Sequence, residues 1–204
     1  MQSRSYVADE RALTALAAPQ GGFFTSKQAA SIGYTAPKRN YHVHAGNWVR
    51  EQRGIFRLTT QPLPARPDLI LWWLWSRNRQ DEPQGTFSHQ TALSLHELTD
   101  TMPARIHMTV PTGFRRSTAT PKSVFLHVAD LIPSDIEQRD AVPVTSALRT
   151  LVDVVITGDL PIEDLQSAFA DAVRSGKITR AEIRAAQADP LRNDALQILQ
   201  AGGR

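Results

Sequence analysis

Residues 25–58, TSKQAASIGYTAPKRNYHVHAGNWVREQRGIFRL, restrict the fold more tightly than any other stretch of the chain. Thr25 can cap a helix, with Gln28 three residues on to close a capping box. Ala29, Ala30 and Ile32 suit close packing against a neighbouring helix. Gly33 then ends that helix in a left-handed turn without a Cβ penalty. Thr35 is the next candidate cap, and Pro37 sits early in a second helix, where its missing N–H costs nothing. The second helix carries Lys38, Arg39, Tyr41, His42 and His44, and Gly46 ends it. Trp48-Val49 and Ile55-Phe56-Arg57-Leu58 predict two strands about a Glu51-Gln52-Arg53-Gly54 turn. Helix, glycine turn, basic helix and hairpin together predict a winged helix-turn-helix.

Charge points the same way. The window holds six basic residues against Glu51 alone, net +5, while the whole 204-residue chain is only +3. Such a local excess attracts phosphate backbones. Residues 130–194, with twelve acidic and seven basic side chains, are net −5. A basic head and an acidic tail predict two partners of opposite character; the plainer reading of the tail is a solvated helical surface.

Hydrophobic residues at 41% and charged residues at 21% allow a real core and exclude a disordered chain. The absence of cysteine excludes disulfides, thiolate-bound zinc and a cysteine nucleophile. The opening MQSRSYVADERAL is polar and charged, unlike a secretory signal. The most apolar run, residues 69–75, is far below the roughly 20 residues that span a bilayer. The expectation is a soluble cytoplasmic protein with no membrane partner.

A first helix is expected over residues 5–18, stopped by Pro19-Gln20-Gly21-Gly22, with Phe23-Phe24 as a short strand or staple. Residues 61–67 hold three prolines and read as a linker. The expected division is therefore 1–60 for the winged domain, 61–67 for the linker and 68–204 for a second, α+β domain. In that domain residues 68–79 predict a buried helix rich in Trp72, Trp73 and Trp75, and Ser88 caps another. Residues 105–110 and 122–128 are strand-like and should pair as a hairpin or within a small sheet, with a third short strand near 141–144. Helices follow at 145–156, 161–175 (Leu165, Phe169, Ala172 and Val173 inward), after Thr179, and at 194–200. The fold class is α+β: an N-terminal winged helix-turn-helix plus a small sheet flanked by helices.

No H-E-x-x-H, P-loop or G-x-G-x-x-G occurs, and Ser146 is not in a nucleophile elbow. His42 and His44 are two apart and do not share a helix face; His89 and His96 are two turns apart. His107 and His127 can meet across a sheet, most simply as satisfied polar groups. No glutamate is followed two positions on by the lysine of a nuclease E-x-K motif. Neither an enzyme nor a cofactor or metal is expected.

The order of features resembles the AbiEi-type antitoxin family of bacterial toxin–antitoxin systems. The resemblance rests on Gly22-Phe23-Phe24-Thr25, the Ala29-to-Gly33 turn, and Trp48-Val49-Arg50 followed by Arg53-Gly54-Ile55-Phe56-Arg57-Leu58. It continues through Ser88-His89-Gln90-Thr91-Ala92-Leu93 and Ile106-His107-Met108-Thr109-Val110-Pro111 with Arg115-Arg116. It closes with Pro143-Val144-Thr145-Ser146 and Arg149-Thr150-Leu151-Val152-Asp153. The resemblance implies a non-enzymatic antitoxin that represses its own operon and neutralises a nucleotidyltransferase-like toxin, directly or indirectly. It assigns no toxin-neutralising residue here. Arg149 and Asp153, four apart, most simply pair on a helix face. For DNA, Lys38, Arg39, Tyr41 and His42 are expected at bases and nearby phosphates. Thr25, Lys27 and Thr35 are expected to hold the backbone, and Arg50, Arg53 and Arg57 to serve the wing. Two copies cooperating on one operator are expected of such repressors, although no dimer helix is evident. The alternatives are a ligand-sensing winged-helix regulator and a winged-helix-fused nuclease.

Overall fold

The computed structural model describes residues 6–100, 102–116 and 119–202. Ser5, the expected start of the first helix, lies outside them. The chain divides into two compact units. One comprises residues up to 84 with 140–142; the other comprises 85–139 and 143–204.

The first unit begins with α1 (Tyr6–Ala17), β1 (Phe23–Thr25), α2 (Ser26–Ile32) and α3 (Ala36–His44). A hairpin of β2 (Trp48–Gln52) and β3 (Ile55–Leu58) follows. The local signals operate as chemistry requires. Thr25 Oγ1 accepts from the Gln28 N–H at 3.1 Å, and the Gln28 carboxamide accepts from the Thr25 N–H at 2.8 Å. Gly33 ends α2 at φ 115°, a left-handed backbone that suits glycine. β1 and β2 each pair antiparallel with β3, giving a three-stranded sheet in the order β1-β3-β2. Leu13, Phe24, Ala29, Ile32, Tyr34, Trp48 and Phe56 form its core beneath α1–α3. This is a winged helix-turn-helix.

The proline-rich segment 61–67 lies inside the first unit, so the boundary falls after Gln84 and not at the expected linker. Apolar packing is the reason. Helix α4 (Pro67–Trp75) packs on β1 and β3, burying Leu69, Ile70, Leu74 and Trp75. Pro64 and Ile70 crowd Gly21 so closely that a Cβ there would sit 2.7 Å from Ile70 Cδ1. Proline here fixes a path over the head surface.

The second unit carries the five-stranded sheet β6-β5-β4-β8-β7. Its strands are β4 (Thr86–Phe87), β5 (Ile106–Val110), β6 (Val124–Val128), β7 (Ile136–Arg139) and β8 (Val142–Thr145). β5 and β6 pair in parallel, Ile106 opposite Val124 and Val110 opposite Val128, so they form no hairpin. Thirteen residues separate the two strands in sequence, enough for a parallel crossover. Helix α5 (His89–Leu95) packs on β5 and on α6 (Ala147–Thr157). Helices α7 (Ile162–Arg174), α8 (Arg180–Ala186) and α9 (Pro190–Ala201) complete the layer. Leu93, Leu148, Leu151, Leu165, Phe169 and Leu196 fill its core. Val173, expected inward, is 36% exposed on the flank of α7. Among the described residues, no helix is long and apolar enough to cross a membrane.

Candidate nucleic-acid interface

Helix α3 is amphipathic, and Val43, its one aliphatic residue beyond the first position, packs against the head core. The buried and half-buried residues of the helix, Arg39, His42 and Val43, lie on one face, and Pro37, Asn40, Tyr41 and His44 are exposed. Tyr41 is 66% exposed, while His42 is only 5% exposed. The His42 ring stacks on Trp48 at 4.7 Å and 14°, and its Nδ1 lies 3.2 Å from Asn47 Nδ2. Burial pushes its pKa below the ordinary value; Glu10 opposes the shift and Lys38 adds to it. His42 is thus a core ring and cannot reach a base as expected.

Two other expected contacts are consumed inside the protein. Thr25 is fully buried, its hydroxyl capping α2 and bonding to the Asp81 carboxylate. That carboxylate, 56 residues away in sequence, also pairs with Arg77 at 2.8 Å. Arg57 Nε sits 2.8 Å from Glu51 Oε1, two residues closing an ion pair across the hairpin. Neither Thr25 nor Arg57 is open to a phosphate. Lys27 is exposed, with its ammonium donating to the Arg79 carbonyl. Arg39 is half-buried and donates from Nη1 to the Tyr34 carbonyl at 2.7 Å.

The remaining side chains form an open surface. Thr35 occupies the cap position of α3 without a capping hydrogen bond from its side chain, and is exposed. Lys38 and Arg53 are exposed and form no ion pair among the described residues. Arg50 donates from Nη2 to Asn40 Oδ1 at 3.1 Å, and its guanidinium stands 5.5 Å from the Phe56 ring. That bond joins the outward face of α3 to the wing strand. His44 Nδ1 lies 2.7 Å from the Asn40 carbonyl. As a donor there, the neutral ring presents Nε2 to solvent as an acceptor. Asn40 and His44 belong to this face although the basic-residue count does not single them out; their exposure, away from Arg39, His42 and Val43, does.

The second unit holds two polar constellations. His107 Nδ1 lies 3.0 Å from His127 Nε2, and the His89 ring stacks on His127 at 3.4 Å and 7°. Burial, then the neighbouring histidines, pushes His89 down to about 3 and His127 down to about 4. His107 is lowered chiefly by burial. No group of three or more His, Asp or Glu among the described residues is placed to hold a metal ion. Elsewhere, Arg192 grips both oxygens of buried Asp135 at 2.8 and 2.9 Å, and Arg149 Nη1 reaches the same carboxylate at 2.8 Å. The expected pair of Arg149 with Asp153 is present at 2.8 Å, as one arm of this network.

No family model matches the sequence, and no curated protein matches it. The fold is similar to that of the RV2827C protein from Mycobacterium tuberculosis. That crystal structure matches with a TM-score of 0.61 at 16% identity, over 100% of this chain and 80% of the other. At this identity the likeness is one of fold.

Proposed function

We propose that this protein is a DNA-binding antitoxin of a bacterial toxin–antitoxin system that represses its own operon from the cytoplasm. The observation that supports DNA binding is the Arg50–Asn40 bond, which makes wing and helix one exposed surface, with Lys38 and Arg53 available for phosphates. Helix α3 enters the major groove with Asn40, Tyr41 and His44 toward the bases, and Arg50 and Arg53 follow the backbone. The antitoxin role draws on the resemblance to AbiEi-type antitoxins and on the acidic stretch 130–194, net −5, which suits a protein partner better than a nucleic acid. Two copies on a paired operator provide the cooperativity. No cofactor is required for either task.

The test is paired. Footprinting of the protein's own promoter should show a protected, sequence-specific site. Co-expression should rescue cells from the product of an adjacent nucleotidyltransferase-like reading frame. A protein that protects no site and rescues no cells overturns the proposal; metal-dependent DNA cleavage would favour the nuclease instead.

A further inference from the structure

In the second unit, the turn at residues 132–135 and helices α8 and α9 enclose a cleft of about 120 Å³, floored by Arg149, Asp135 and Arg192. It opens into a shallow hollow lined by Ala185, Ala188, Pro190 and Leu191. Ile132 borders both concavities. Ile132 is 52% and Leu191 71% exposed, which leaves two large aliphatic side chains in water beside a recess.

Size and charge decide what such a recess can take. A cavity of about 150 Å³ holds one benzene, so the cleft of about 120 Å³ accepts a single side chain. The hollow beside it, about 720 Å³ but shallow and open to solvent, would bury little of a small ligand and instead accepts the segment carrying that side chain. The two arginines are already spent, on Asp135 and Asp153. Asp135, Glu182 and Asp189 line the recess against Arg149 and Arg192, so the lining is net negative. It lies within the 130–194 stretch, net −5. This balance favours lysine or arginine over an anion in the segment that docks.

We infer that this groove docks a segment of a partner protein that presents one aliphatic or aromatic side chain flanked by basic residues. The inference rests on the antitoxin reading, which makes that partner the toxin. An apolar anchor in a fitted recess with charged surroundings is the usual layout of an interaction hot spot. The flanking cations raise the association rate and make it salt-dependent.

The test uses the full chain and the purified product of the adjacent nucleotidyltransferase-like reading frame, with Kd measured by calorimetry. The Ile132→Ser/Leu191→Ser double variant alters only exposed side chains and should keep the wild-type urea midpoint and promoter affinity. The expected result is micromolar or tighter binding by the wild type, weakening as salt rises from 50 to 500 mM, and at least a tenfold loss in the double variant. Tyr41→Ala should bind the partner as the wild type does. Equal binding by the double variant and wild type overturns the groove while leaving the antitoxin reading intact. Binding indifferent to salt overturns the basic character of the segment. Failure of the wild type to bind removes the direct-contact reading, and the groove assignment with it. A concentration-dependent dimer abolished by the double variant would assign the groove to a second copy and overturn the inference.

Discussion

Acidification should unfold the second unit well before its carboxylates titrate, because three histidines are held neutral at one place in the sheet. His107 and His127 lie on adjacent strands β5 and β6, and His89 opens α5 at φ 51°, over the His127 ring. Arg149 and Arg105 lie near enough to disfavour further positive charge, and only Asp159 opposes them. The unfolded chain takes up protons near pH 6.5, while folded His89 does so only near 3 and His127 near 4. Between those values the unfolded state binds more protons, so stability falls as pH falls. At pH 5 His89 costs about 2 kcal/mol relative to pH 8, and His127, more screened by solvent, somewhat less; together they remove a large share of a domain's stability. His127→Phe keeps a flat ring under His89 and removes one titrating group. It should lose about 1 kcal/mol at pH 8 with its hydrogen bond to His107, and only about half of the wild-type loss on going to pH 5. All four tryptophans lie at or before Trp75, so their fluorescence reports the first unit. Urea unfolding followed by far-UV circular dichroism, with fluorescence recorded alongside, separates the two units. A wild-type midpoint for the second unit unchanged from pH 8 to pH 5, or an identical pH slope in the variant, would refute the reasoning.

Three further outcomes follow from the packing. His42→Ala should lower head stability by about 2–4 kcal/mol, because it empties the space between Trp48 and Tyr34. Tyr41→Ala, on the exposed side of the same helix, should shift stability by less than about 0.5 kcal/mol and weaken promoter binding. Arg57→Gln should cost at most about 1 kcal/mol in thermal melts and leave the salt dependence of DNA binding unchanged, since its charge is paired with Glu51. Asp135→Ala should destabilise the second unit by about 3–5 kcal/mol in urea, because it strands Arg149 and Arg192 without their shared carboxylate.

The sequence is most informative where the determinant is local. Thr25 with Gln28, Gly33 and Pro37 mark both helices of the reading motif within four residues of their ends. Thr179 with Glu182 does the same for α8. The hairpin is visible because Gly54 sits between two apolar runs, at φ 78°. What stays hidden depends on distant residues. The burial of Thr25 is set by Asp81, and the tie between Asp135 and Arg192 spans 57 positions. Strand β4 is two residues long and β7 reads IEQR, so neither carries an alternating apolar signal. Parallel pairing of β5 and β6 is equally silent, because side-chain alternation is the same in either direction. Among the candidate contacts, residue type alone favours His42 and Arg57. Burial of His42 against Trp48 and the cross-hairpin ion pair of Arg57 assign them to the protein itself and leave Lys38, Tyr41, Arg50 and Arg53 for a ligand.

The salt dependence of promoter binding tests that assignment most directly. Each phosphate neutralised contributes about 0.9 to the slope of log K against log salt. Arg53→Ala and Lys38→Ala should each reduce the slope by about one and weaken specific and non-specific duplexes alike, while Arg57→Gln leaves it unchanged. Slopes equal to the wild type in both alanine variants, or a reduced slope in Arg57→Gln alone, would contradict the claim that α3 and the wing grip a duplex through these side chains.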